Sequence, residues 1–136
     1  MEFPADVRGK IERLVNAEDI KKLSAAARRL SENYRREENI SASSKLEILA
    51  YTAVRMPATF GAVSRALELA LENFDEEIIS VLDAGAGTGA ASIAAEEFRD
   101  CHGRESITCF ERDKNILALG QQFSENANWV ERDINK

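Results

Sequence analysis

Three glycines at alternate positions, in Asp83-Ala84-Gly85-Ala86-Gly87-Thr88-Gly89, stand between two stretches of different character. Before them, Ile78-Ile79-Ser80-Val81-Leu82 is a short β-branched apolar run, the pattern of a buried parallel strand. After them, Ala90 to Phe98 is alanine-rich and reads as a helix. Glycine there lets the backbone turn tightly and lets a ligand approach with no Cβ in the way. The N–H groups that open the following helix then face the ligand. Ser106 to Phe110 reads as a second short strand ending at Glu111. Asp113 caps a helix over Lys114 to Phe123, and Trp129-Val130 form the core of a third strand. The order β-α-β-α-β means parallel strands with crossover helices, the first half of a doubly wound sheet.

Residues 1–77 carry a different period and predict a helical lobe, with residues 78–136 as the α/β domain. Val7, Ile11, Leu14 and Val15 recur at helical spacing, as do Ile20, Leu23, Ala27, Leu30 and Tyr34. Ser41-Ala42-Ser43-Ser44 is a polar break, and Ser44 with Glu47 forms a capping box that starts a new helix. Leu46, Leu49, Ala50, Ala53 and Val54 make its apolar stripe. Pro57 lacks an N–H and disfavours helical geometry at Met56, so a kink or restart is expected there. Phe60, Val63, Leu67, Ala70, Leu71 and Phe74 form the stripe beyond it.

Composition narrows the function. At 44% hydrophobic the chain has enough apolar residues to build a core, and no apolar run long enough to cross a bilayer. Eighteen Lys and Arg against 24 Asp and Glu leave a net charge of −6, which argues against nucleic-acid binding driven by overall charge. Residues 1–40 nevertheless hold 9 of the 18 basic side chains, so a local basic face remains available, although a solvated mixed-charge helical surface is the simpler reading. Cys101 and Cys109 fit no metal-ligand spacing, and His102 beside Cys101 falls short of four ligands, so no metal is expected. Free thiols and the absence of a targeting pattern at Met1-Glu2-Phe3-Pro4 point to the cytoplasm.

Glu111, at the tip of the second strand, lies beside the glycine loop at the carboxyl edge of the sheet, where a carboxylate can accept both hydroxyls of a ribose. Strand, glycine loop, helix, strand and acid together specify an adenosine-type ligand. Gly85, Gly87 and Ala90 also satisfy the dinucleotide pattern, with Glu111 near the position of its acid, and spacing does not separate the two ligands. Asp83 does, because the D-x-G-x-G-x-G form resembles motif I of class I S-adenosylmethionine-dependent methyltransferases. In those enzymes the acid sits near the methionine ammonium group. Asp133, shortly after the third strand, can reach an adenine amino group or remain a solvated acid.

Ala50-Tyr51-Thr52-Ala53-Val54-Arg55-Met56-Pro57-Ala58-Thr59-Phe60-Gly61-Ala62-Val63, followed by Leu82 to Ser92, resembles the Rsm22 family of small-subunit ribosomal RNA methyltransferases. Arg-x-Pro-Ala-Thr-aromatic ahead of the glycine loop is the specific part. Leu30-Ser31-Glu32-Asn33-Tyr34-Arg35 and Phe110-Glu111-Arg112-Asp113 are similar to the family as well. The resemblance implies a helical lobe followed by the first half of a Rossmann-like methyltransferase sheet. It implies S-adenosylmethionine as cofactor, with Gly85, Gly87 and Gly89 as its loop and Asp83 and Glu111 as polar anchors. It also implies the small ribosomal subunit or its RNA as partner. For Arg55, Pro57 and Thr59 it implies importance without a role. One expectation is that this segment packs over the cofactor mouth with Arg55 near a carboxylate or phosphate, and a helix kink with a surface arginine is the simpler alternative.

The resemblance covers only the front part of a family protein. Strands after the third, the acceptor-binding loop and the cysteine cluster of family members have no counterpart here. The expectation is therefore a fragment that carries the cofactor loop, has no assigned catalytic residue and is inactive alone. Its first strand would expose an unpaired edge suited to self-association. A non-enzymatic ribosome assembly or binding factor is the second expectation, with Arg28-Arg29 and Arg35-Arg36 as contacts and Glu37 and Glu38 weakening them. Half of a nucleotide-dependent oxidoreductase is the third.

Overall fold

The computed structural model describes residues 2–35, 44–76, 78–98 and 106–136. They form α1 (Ala5–Asn16), α2 (Ile20–Arg35), α3 (Lys45–Leu71), β1 (Val81–Ala84), α4 (Ala90–Phe98), β2 (Ile107–Glu111), α5 (Lys114–Phe123) and β3 (Asn128–Glu131). Most of the polar break at 41–44, Arg36 to Glu38, Cys101 and His102 lie outside the described residues. The chain separates into two compact units, Pro4–Met56 and Met1–Phe3 with Pro57–Lys136. The two compact units divide within α3, at Pro57.

In the Pro4–Met56 unit each helix start has a local cause. Pro4 stands at the N-cap of α1 with φ −56°, the value its ring imposes. Asp19 opens α2 by accepting from the Lys21 and Lys22 N–H groups at 2.9 and 3.1 Å. Ser44 opens α3, its Oγ accepting from the Glu47 N–H at 3.2 Å. The other member of the expected capping box, Glu47, turns its carboxylate to Arg29 Nε of α2 at 3.2 Å. Val7 and Ile11 are buried on α1, as the spacing predicted. Among the described side chains of α2, Ala26 and Leu30 are buried, while Ile20 is 75% exposed. On α3 they are Ile48, Leu49, Ala50, Thr52 and Met56, so the stripe is rotated from the expected one and Val54 faces outward. Thr52 is tolerated inside because its hydroxyl donates to the Ile48 carbonyl at 2.7 Å.

No restart occurs at Pro57. The helix runs through it from Lys45 to Leu71, with the Ala53 carbonyl deprived of its usual donor. Beyond Pro57, Phe60 is buried and meets Phe3 edge-to-face at 5.4 Å between ring centroids, while Phe74 is half exposed.

The sheet has the order β1-β2-β3 and is parallel throughout. This is an α/β architecture consistent with part of a Rossmann-like fold. The first strand begins at Val81 and not at Ile78, and extends to Ala84. Pairing is the reason. Val81 faces Ile107, where β2 starts, so the described pairing begins there, and Ile79 before it is 71% exposed. One sheet face carries Val81, Asp83, Ile107, Cys109 and Trp129, and α4 and α5 both pack on this side. Leu82, Ala84, Thr108, Phe110 and Val130 lie on the other face, where Leu82 is 60% exposed and Arg132 stacks its guanidinium 4.8 Å above the Phe110 ring.

Candidate functional site

Parallel strands all deliver their carboxyl ends to one rim, and the loop after β1 turns there. Gly85, Gly87 and Gly89 have φ of 73°, 60° and 93°, the left-handed region that residues with a Cβ avoid. Their surroundings differ. A Cβ on Gly85 or Gly87 would meet nothing within 4 Å, so these two leave open space above the loop. On Gly89 it would lie 3.2 Å from the Trp129 ring. The first two glycines thus form an open cradle and the third allows close packing.

The loop is held by bonds to β2. The N–H groups of Gly85 and Ala86 both donate to the Phe110 carbonyl at 2.9 Å, and that of Gly89 donates to Ala86 at 3.0 Å. The Gly87 N–H donates to Glu111 Oε2 at 3.2 Å, while Oε1 accepts more weakly from the Asp113 N–H at 3.4 Å. Glu111 is therefore buried with its carboxylate against the loop. Each of its oxygens retains a lone pair for a further donor.

Asp83, at the other side of the loop, takes a hydrogen bond from the Ser92 hydroxyl at 2.7 Å through Oδ2. Ser92 Oγ also lies 3.1 Å from Cys109 Sγ. Burial pushes the Cys109 thiol up to about 11, with smaller upward contributions from the Asp83 and Glu96 charges, and the Ser92 bond opposes them.

Asp83, Gly85, Gly87, Gly89 and Glu111 are thus gathered around the ends of β1 and β2. Asp133 follows the end of β3, where its Oδ1 accepts from the Asn135 N–H at 2.9 Å. Asp113 caps α5 through the Asn115 and Ile116 N–H groups, as its position predicted. Arg55 belongs to the Pro4–Met56 unit and lines a groove of about 390 Å³ between α2 and α3, with Leu30, Ala50, Tyr51 and Val54. Pro57 is half-buried and Thr59 exposed.

Sequence reasoning overlooked Ser92, Gly120 and the placement of Trp129. The Trp129 ring fills the space beside Gly89 and Gly120, where a Cβ on Gly120 would come within 2.3 Å of it. Its Nε1 donates to the Ser124 carbonyl at 3.0 Å. A glycine inside an amphipathic helix was the available signal for such a close approach. Among the described residues, no helix is long and apolar enough to cross a membrane, and no group of three or more potential metal ligands is assembled.

The chain matches no curated protein. Residues 45–136, from the start of α3 to beyond β3, match the family described as mitochondrial small ribosomal subunit Rsm22. That match spans more than half of the 136 residues and includes the glycine loop and both acids beside it, and the chain belongs to the Rsm22 family.

Proposed function

We propose that the rim formed by β1 and β2 binds S-adenosylmethionine, and that the protein serves methyl transfer to small-subunit ribosomal RNA. The observation that carries this reading is the hydrogen-bond accounting of the loop. The N–H groups of Gly85, Ala86, Gly87 and Gly89 are all engaged within the protein, and Asp83 and Glu111 flank them. A dinucleotide pyrophosphate placed on this loop would find those four donors taken and would meet two carboxylates. A ligand with a cationic amino-acid end and a ribose suits the same rim, its ammonium toward Asp83 and its hydroxyls toward Glu111. The open space above Gly85 and Gly87 gives such a ligand close access to the backbone. When bound, the cofactor supplies a methyl group activated on a sulfonium; the residues named here hold and orient it. No side chain is assigned to the transfer step. The test is calorimetric titration of the chain with S-adenosylmethionine, S-adenosylhomocysteine and NAD, with Gly87→Arg as control. Saturable binding of the first two, lost in the variant, is expected. NAD binding in preference, or no binding, overturns the reading.

The family description favours a second reading, a binding factor of the small ribosomal subunit on the same fold. Arg28 is exposed on α2, whereas its neighbour Arg29 is engaged by Glu47. Binding to small-subunit RNA that falls steeply with salt, in a chain that binds no adenosine ligand, would select it. In either reading, we place self-association at the outer edge of β1, which among the described strands pairs only with β2 and carries exposed Leu82. Sedimentation showing a monomer at high micromolar concentration would remove that contact.

A further inference from the structure

The side chain that holds Asp83 comes from α4. Ser92 is fully buried, and its hydroxyl has one hydrogen to give. Asp83 Oδ2 at 2.7 Å is an acceptor when ionised, so that hydrogen goes to the carboxylate. The 3.1 Å contact between Ser92 Oγ and Cys109 Sγ must then be donated by the thiol. Cys109 stands directly opposite Asp83 in the β1–β2 register, so the polar chain Cys109–Ser92–Asp83 lies along the covered sheet face, where α4 packs. It runs in one direction, from S–H to O–H to carboxylate.

We propose that Ser92 is a positioning residue which, acting through Asp83, sets the affinity of the site for the amino-acid end of its ligand and not for the adenosine end. The inference rests on the S-adenosylmethionine reading of the rim. Ser92 bonds to Asp83 and Cys109, whereas the bonds of Glu111 go to Gly87 and Asp113. Loss of the hydroxyl frees the Asp83 carboxylate to rotate and leaves the ribose anchor in place.

The experiment compares two probes on the full chain. S-adenosylhomocysteine has the amino-acid end, and 5′-methylthioadenosine lacks it. Ser92→Ala is expected to weaken the first about tenfold and to leave the second within about twofold, the size expected when one hydrogen bond to a charged group is lost. A merely structural role would weaken both probes alike, because both depend on the glycine loop, and equal weakening or no weakening overturns the proposal. Thermal melting monitors the fold. Should Ser92→Ala not fold, Ser92→Cys, kept reduced because its sulfur would stand beside Cys109 Sγ, supplies a weaker donor and is expected to show the same selective loss in smaller measure. A wild-type chain that binds neither probe overturns the cofactor reading itself, and this proposal with it.

Discussion

The backbone N–H of Gly87 donates to Glu111 Oε2 at 3.2 Å, so the turn after β1 and the acid that ends β2 form a single structure. Gly87 holds φ at 60° with open space where a Cβ would stand. Gly87→Ala therefore costs about 1–2 kcal/mol through backbone strain alone, without steric clash. Glu111→Ala removes the acceptor of the Gly87 N–H and leaves only the Gly85 and Ala86 bonds to the Phe110 carbonyl holding the loop to β2. Urea unfolding should show both losses, and only Glu111→Ala should also abolish binding of 5′-methylthioadenosine, whose ribose it would hold.

Two helical glycines should respond in opposite directions. A Cβ at Gly120 collides with the Trp129 ring, so Gly120→Ala displaces the indole and is expected to destabilise by about 1–3 kcal/mol. Near Gly61 on α3 nothing lies within 4 Å, so Gly61→Ala should stabilise by about 0.5–1 kcal/mol through helix propensity. Tryptophan fluorescence at equilibrium shifts in the first variant and not in the second.

Cys109 gives the stability a defined alkaline dependence. Its folded pKa, about 11, lies above the ordinary 9.0, chiefly because burial disfavours the thiolate. The folded state thus holds its proton where the unfolded state loses it. The thiol's contribution is complete below pH 9 and is lost as pH rises toward 11. Denaturant midpoints of wild type should fall across that interval more than those of Cys109→Ala. Alkylation of Cys109 should require unfolding.

At the start of α3, Ser44 and Arg29 make different contributions. Ser44→Ala removes the N-cap and is expected to cost about 1 kcal/mol. Arg29 is 54% exposed, so its pair with Glu47 is screened, and Arg29→Ala should cost at most about 0.5 kcal/mol. Thermal melts of the two variants read the difference, and high salt should reduce only the Arg29 effect.

Local chemistry made much of this protein legible in its sequence. Alternation of strand and helix patterns predicted the parallel sheet, the glycine spacing predicted the turn, and Ser44 and Asp113 cap the helices they precede. Each of these depends on residues a few positions apart, whose backbone preferences and hydrogen bonds act before any distant contact forms. Tertiary structure decided the rest. Val81, not Ile78, begins β1 because Ile107 is where its neighbour starts. Ala26 is buried and Ile20 exposed on α2, and α3 continues through Pro57. Ser92 meets Asp83 and Cys109, and Trp129 packs beside Gly89 and Gly120, only when strands and helices distant in sequence are laid together. Periodicity carries the type of an element, but register and the partner of a buried polar group are properties of surfaces in contact.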